Sequence, residues 1–191
     1  MYKRIRIAAI IFLISVAFIL PCYSQIVLSA GGNGYLGNTG FMFGGGLAFE
    51  YWLSFSEQRA KEGMILGFGA EYISVTTEFT KTQGSGWVFP FAVKYGFLAT
   101  PTLNVGLGGG AALVTMDVDV RDYYGDYDIS TELGAAPFAE ACLTFLTKTR
   151  ITFMVALRGG ALFIADGTYP FVGVKLHVGY YIFLQEEKSS Y

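Results

Sequence analysis

Six ionisable residues stand singly on stretches that are otherwise small or apolar: Glu50, Glu71, Lys94, Glu140, Arg158 and Lys175. Three acids and three bases in such surroundings can pair and neutralise one another, or they can line a path for ions. His177, the only histidine, follows Lys175 by two residues. A histidine works as a general base only with a nucleophile in reach. A second concentration of chemistry is the stretch 117–128. There Asp117, Asp119, Asp122, Asp126 and Asp128 surround Arg121, Tyr123, Tyr124 and Tyr127. Its acids suggest Ca²⁺, but Arg121 sits where the third ligand of an EF-hand loop belongs, and no metal is expected. Arg121, Asp122, Tyr123, Tyr124, Asp126 and Tyr127 form instead a candidate contact surface, because tyrosine brings contact area at low entropic cost. The glycine runs around 44–46 and 106–110 lack the lysine and following helix that cradle a phosphate, so no cofactor is expected.

These residues need a scaffold, and the sequence points to one. Hydrophobicity alternates with period two through most of the chain, the mark of strands with two different faces. Eight strands are expected, at about 25–36, 43–55, 63–78, 86–98, 102–118, 131–146, 150–164 and 169–184. One face carries large apolar residues, such as Phe43, Leu47, Phe49 and Tyr51, or Trp87, Phe89, Phe91 and Val93. The other carries glycines, Ser29, Asn33, Thr144, His177 and the six charges, each charge about six to nine residues from its strand ends, as far as strand ends can be read. A soluble sandwich turns its bulky face inward. Here the bulky face is the uniform one and the charges lie among small residues, as in a narrow membrane barrel with lipid outside and polar side chains inside. Such a lumen is just wide enough for side chains, so the charges, with His177 beside them, are read as a belt that plugs it.

Composition agrees. The chain is 53% hydrophobic and 15% charged, against roughly 25% charged in soluble domains. Residues 1–24 read as a cleavable signal peptide: Lys3, Arg4 and Arg6, then an apolar run from Ile7 to Leu20, then small residues Cys22 and Ser24. Pro21 before Cys22 fits a lipid-attachment site poorly. Loss of the three leader cations takes the net charge from −2 to −5, which argues against a nucleic-acid partner. Residues 25–191 form the barrel. An even strand number puts both termini on one side. The connections 56–62, 99–101 and 147–149 then share the periplasm with the termini, and 119–130, the longest connection, faces outward. Aromatics near strand ends suggest interfacial girdles: Phe55, Phe97, Phe145 and Phe183 at one end, Phe43, Trp87 and Phe163 at the other.

Hairpin arithmetic adds a register. It places Glu140 opposite Arg158, Glu71 opposite Lys94, and Arg158 opposite Lys175 across an Asp166-Gly167 turn.

The whole chain after the leader resembles the small eight-stranded bacterial outer-membrane barrels, such as the transmembrane domain of outer membrane protein A and the X and W types. His177, Gly179, Tyr181 and Phe183 look like the last-strand signal that the outer-membrane insertion machinery reads, although Gln185 to Tyr191 follow. The resemblance implies an all-β, antiparallel up-and-down barrel in outer-membrane lipid. The function expected is non-enzymatic: envelope structure, or contact with a surface ligand through loop 119–130. A narrow channel for ions or small solutes is the alternative. A lipid-modifying barrel enzyme is disfavoured, since His177 falls on the inward face and no His-x-Ser is present.

Overall fold

The structure is a computed structural model and describes residues 24–37, 40–54, 62–76, 82–122, 125–128, 132–164 and 167–183. The expected leader lies outside them, apart from Ser24. Among the described residues, nine strands are seen: β1 Ser24–Gly37, β2 Gly40–Ser54, β3 Glu62–Thr76, β4 Thr82–Thr100, β5 Leu103–Asp122, β6 Gly125–Asp128, β7 Glu132–Leu146, β8 Ile151–Ile164 and β9 Gly167–Phe183. All but β6 pair antiparallel with two barrel neighbours, and β1 closes onto β9 with Leu28 opposite Tyr180. The result is a closed eight-stranded barrel. Its shortest strands have 14 residues, more than the roughly 9–11 that cross a bilayer.

The period-two pattern sorts side chains as lipid requires. On β4, Trp87, Phe89, Phe91, Val93, Tyr95 and Phe97 are exposed while Val88, Ala92 and Lys94 are buried. Closure satisfies the backbone, which has no water to bond to in hydrocarbon. Aromatics concentrate on the outer face of β2–β4. Phe68 lies 5.0 Å from Phe91, and Tyr72 meets Trp87 edge-on at 5.3 Å. Of the expected girdle residues, Phe43, Trp87, Phe97, Phe145 and Phe163 are exposed. Phe55 lies outside the described residues.

Three expectations are corrected. Residues 119–122 and 125–128, expected as part of an open loop, are strand: β5 runs on through Asp122, and β6 returns along it with Arg121 opposite Asp126. Alternation of Val118 and Val120 with Asp117 and Asp119 carries the strand pattern past the barrel. Glu71 faces Val88 rather than Lys94, because β4 begins at Thr82 and tightens the β3–β4 hairpin. Arg158 faces Gly173, and Lys175 faces Ala156, because Ile164 and Gly167 are already paired and the link is 165–166. Both slips are even-numbered, so no charge turned into lipid.

Glycine lets the walls approach inside the barrel. A Cβ on Gly110 would overlap the Phe91 carbonyl oxygen and stand 2.8 Å from Ala92 Cα, whereas one on Gly32 meets nothing nearer than 3.7 Å. Gly110→Ala should therefore lower unfolding stability by about 1–3 kcal/mol. Gly32→Ala should change it by less than about 0.5 kcal/mol. Urea unfolding followed by tryptophan fluorescence checks the contrast.

Candidate functional site

Six barrel strands each send one charge into the lumen. Glu50 comes from β2, Glu71 from β3, Lys94 from β4, Glu140 from β7, Arg158 from β8 and Lys175 from β9, and each is at most 5% exposed. They form one alternating chain. Lys94 Nζ lies 2.5 Å from Glu50 Oε1 and 3.0 Å from Glu140 Oε1. Arg158 grips Glu140 Oε2 with Nε at 2.8 Å and Nη2 at 2.7 Å. Its Nη1 reaches Glu71 Oε1 at 3.1 Å, and Lys175 Nζ bonds the same oxygen at 2.7 Å. In the order of strands around the barrel, β8 and β3 are diametrically opposite, so the Arg158–Glu71 contact bridges the lumen across its width.

Neutral groups complete the chain. Tyr35 donates its hydroxyl to Glu71 Oε2 at 2.6 Å and accepts from Arg158 Nη1 at 3.3 Å. Trp52 donates its indole N–H to Glu50 Oε2 at 3.0 Å. The Arg158 guanidinium also lies 4.2 Å from the centre of the Phe138 ring, a favourable cation–π position. Burying an ion costs several kcal/mol unless opposite charge and hydrogen bonds replace water. Here the four inner members each touch two opposite charges, and the net charge of the six is zero.

Apolar side chains pack in the lumen on both sides of this belt. Towards the β5–β6 end, Tyr35, Met42, Ile73, Val88, Val114 and Phe138 belong to one buried cluster. Towards the chain termini, Val27, Trp52 and Ile65 form another, with Leu146 and Tyr181 against it. The lumen thus holds the belt and the small and polar side chains expected, such as Ser29, Asn104, Thr144 and Thr152, and in addition larger apolar side chains on both sides of the belt. Tyr35, Trp52 and Phe138 escape a reading that sorts inward positions by polarity and small size. Their parity along β1, β2 and β7 is the signal that could have found them.

His177 stands beside the belt, not in the ion chain. Its Nδ1 lies 3.2 Å from Ser29 Oγ and its Nε2 lies 3.1 Å from Asn33 Oδ1, both within hydrogen-bond reach. Gly31 on β1 provides the seat, since a Cβ there would fall 2.6 Å from the imidazole. Ser, His and Asn in sequence resemble a nucleophile with its base. All three are at most 6% exposed, inside a filled lumen, so a substrate carbonyl cannot approach Ser29 in this geometry.

The contact residues are divided. Arg121 and Asp122 end β5, and Asp126 and Tyr127 lie on β6, with Val120 opposite Tyr127 and Asp122 opposite Gly125. Tyr123 and Tyr124 lie outside the described residues. No group of His, Cys, Asp and Glu suited to hold a metal is present among the described residues.

The fold matches solved outer-membrane barrels. Ail, the attachment invasion locus protein of Yersinia pestis, superimposes with a TM-score of 0.55 at 13% identity, over 84% of this chain and 98% of that one. A major outer membrane protein of Thermus thermophilus gives 0.56 at 12%, over 83% and 99%. The N-terminal β-barrel domain of Pseudomonas aeruginosa OprF gives 0.53 at 15%, over 83% and 97%. The chain has their fold. Ail has also been solved with the heparin analogue sucrose octasulfate. No protein-family model and no curated protein sequence matches the chain.

Glu140 holds Lys94 and Arg158 together, so Glu140→Ala should cost about 3–5 kcal/mol by stranding buried cations. Adding Arg158→Ala should cost at least about 1 kcal/mol less than the two single losses summed. Additive losses in urea unfolding would contradict the pair.

Proposed function

We propose that this chain is a non-enzymatic protein of the bacterial outer membrane, serving envelope structure or surface contact. In this reading the signal peptide 1–24 exports it, and the insertion machinery recognises β9 during assembly. Both termini face the periplasm, and the β5–β6 hairpin stands outside. One observation carries the proposal: a neutral ion chain crosses the lumen between two apolar clusters. A filled interior leaves the lipid-facing wall and the exposed connections as the working surfaces. The hairpin suits contact, since β5 continues six residues beyond Met116, its last pairing with β7, or roughly 20 Å at strand rise. The sequence 117–128 carries three tyrosines and five aspartates. Ail, a similar barrel, is named for attachment and invasion. The stretch 117–128 has five aspartates against one arginine, so its partner is neutral or cationic rather than a sulfated polyanion like the one seen with Ail.

Two epitope insertions test this. A tag between Tyr124 and Gly125 should bind antibody on intact cells, and a tag beside Arg59 should not. Replacing residues 121–127 with a short glycine-serine turn should abolish any adherence that expression of the barrel confers, with barrel assembly unchanged. The opposite tag pattern would invert the topology, and undiminished adherence would remove the hairpin's role.

A further inference from the structure

The turn between β7 and β8 holds an arginine in a conformation that suits glycine. Arg150 has φ 66°, in the left-handed region where a Cβ crowds the following carbonyl. The other positive-φ residues described are glycines, Gly40 and Gly167. The backbone around Arg150 is fixed on both sides. Its N–H donates to the Thr147 carbonyl at 3.2 Å, and its carbonyl accepts from the Tyr181 N–H on β9 at 2.9 Å. The Thr147 hydroxyl donates to the Ile151 carbonyl at 2.8 Å and accepts from the Ile151 N–H at 3.1 Å. The Tyr181 hydroxyl donates to the Thr147 carbonyl at 3.0 Å. Strain kept at an exposed residue points to a use for its side chain.

The surroundings say what that use is. Lys148 and Arg150 are both exposed, and neither forms an ion pair or a side-chain hydrogen bond among the described residues. No acid stands within 143–155 or 177–183, the strand ends around them. On the barrel side of the turn the outward face is aromatic and apolar. Phe145 stands opposite Phe153 and Ile151 opposite Tyr180, all four exposed. Lys148 follows Phe145 by three residues and Arg150 adjoins Ile151, so both cations lie within about 10 Å of the last lipid-facing ring at strand rise. Phospholipid phosphates lie at that level, just outside the hydrocarbon. We propose that Lys148 and Arg150 bind the phosphate of an anionic phospholipid whose chains run along Phe145 and Phe153. Arg150 offers the planar fork that grips a phosphate through two hydrogen bonds, and Lys148 adds a point charge. The attraction is local, because the chain as a whole is net negative. Only the leaflet rests on the topology proposed above, which puts this turn on the periplasmic side.

Native mass spectrometry of the refolded protein in neutral detergent, with equal phosphatidylglycerol and phosphatidylcholine added, provides the test. Retention of phosphatidylglycerol over phosphatidylcholine is expected. Arg150→Gly and Lys148→Ala should each weaken that preference about fivefold, the effect of one cation near anionic headgroups. Arg150→Lys should keep more of it than Arg150→Gly. Arg150→Gly should also raise the urea midpoint in neutral detergent by removing the strain, so that lost lipid is not a lost fold. Equal retention of the two lipids, or a preference that neither substitution changes, would overturn the site. Inorganic phosphate held as firmly as the lipid would make it a site for the free anion and overturn the lipid. A lowered midpoint for Arg150→Gly would place the arginine's role within the fold and contradict the proposal as well. Epitope tags decide the leaflet separately: an inverted topology leaves the phosphate site standing, and a failed lipid preference leaves the topology standing.

Discussion

Charge buried at low dielectric must be answered by opposite charge, and this constraint organises the whole interior. Glu71 shows how closely. Two cations and the Tyr35 hydroxyl converge on its carboxylate from β8, β9 and β1. These strands lie on the other side of the barrel or around its wall, so the interaction cannot form until the barrel closes. The ion chain therefore acts as a cross-brace. It ties β2, β3, β4, β7, β8 and β9 at one level, where an ordinary soluble domain would use an apolar core.

The rest of the architecture serves that brace. Strict alternation turns one set of large apolar residues to lipid and leaves the interior to the belt, small and polar residues and two apolar clusters. Glycines at crossing points let the strands come close, as Gly31 does for the His177 ring. Apolar clusters on both sides keep water from the middle of the chain, which strengthens each ion pair. In the proposed reading, the same filling leaves the outside wall and the rims as the working surfaces.

Much of this is legible in the sequence, and the physics explains which parts. Which face a residue takes depends on parity alone, so alternation is enough to place Glu50, Glu71, Lys94, Glu140, Arg158 and Lys175 inside. Register is a different quantity. A slip of two residues leaves every face unchanged, so alternation cannot separate Arg158–Lys175 from the observed Arg158–Gly173. Glu140 does stand opposite Arg158, where a short turn fixes the hairpin. The remaining ion pairs join strands that are not neighbours. Glu50 meets Lys94 across β3, and Glu71 meets Arg158 across the lumen. Hairpin arithmetic has no access to such contacts, and none to Ser29 with His177, which meet only where β1 closes on β9. The β5–β6 hairpin is hidden by its acids, which read as solvated loop although valines alternate with them.

The central claim is that paired charges fill the lumen and close it. Recording ion current through the refolded protein in a planar bilayer tests it most directly. The account predicts no steady conductance, with at most rare and small openings. A stable conductance step in most bilayers would mean that ions pass through the belt, and the account would be wrong.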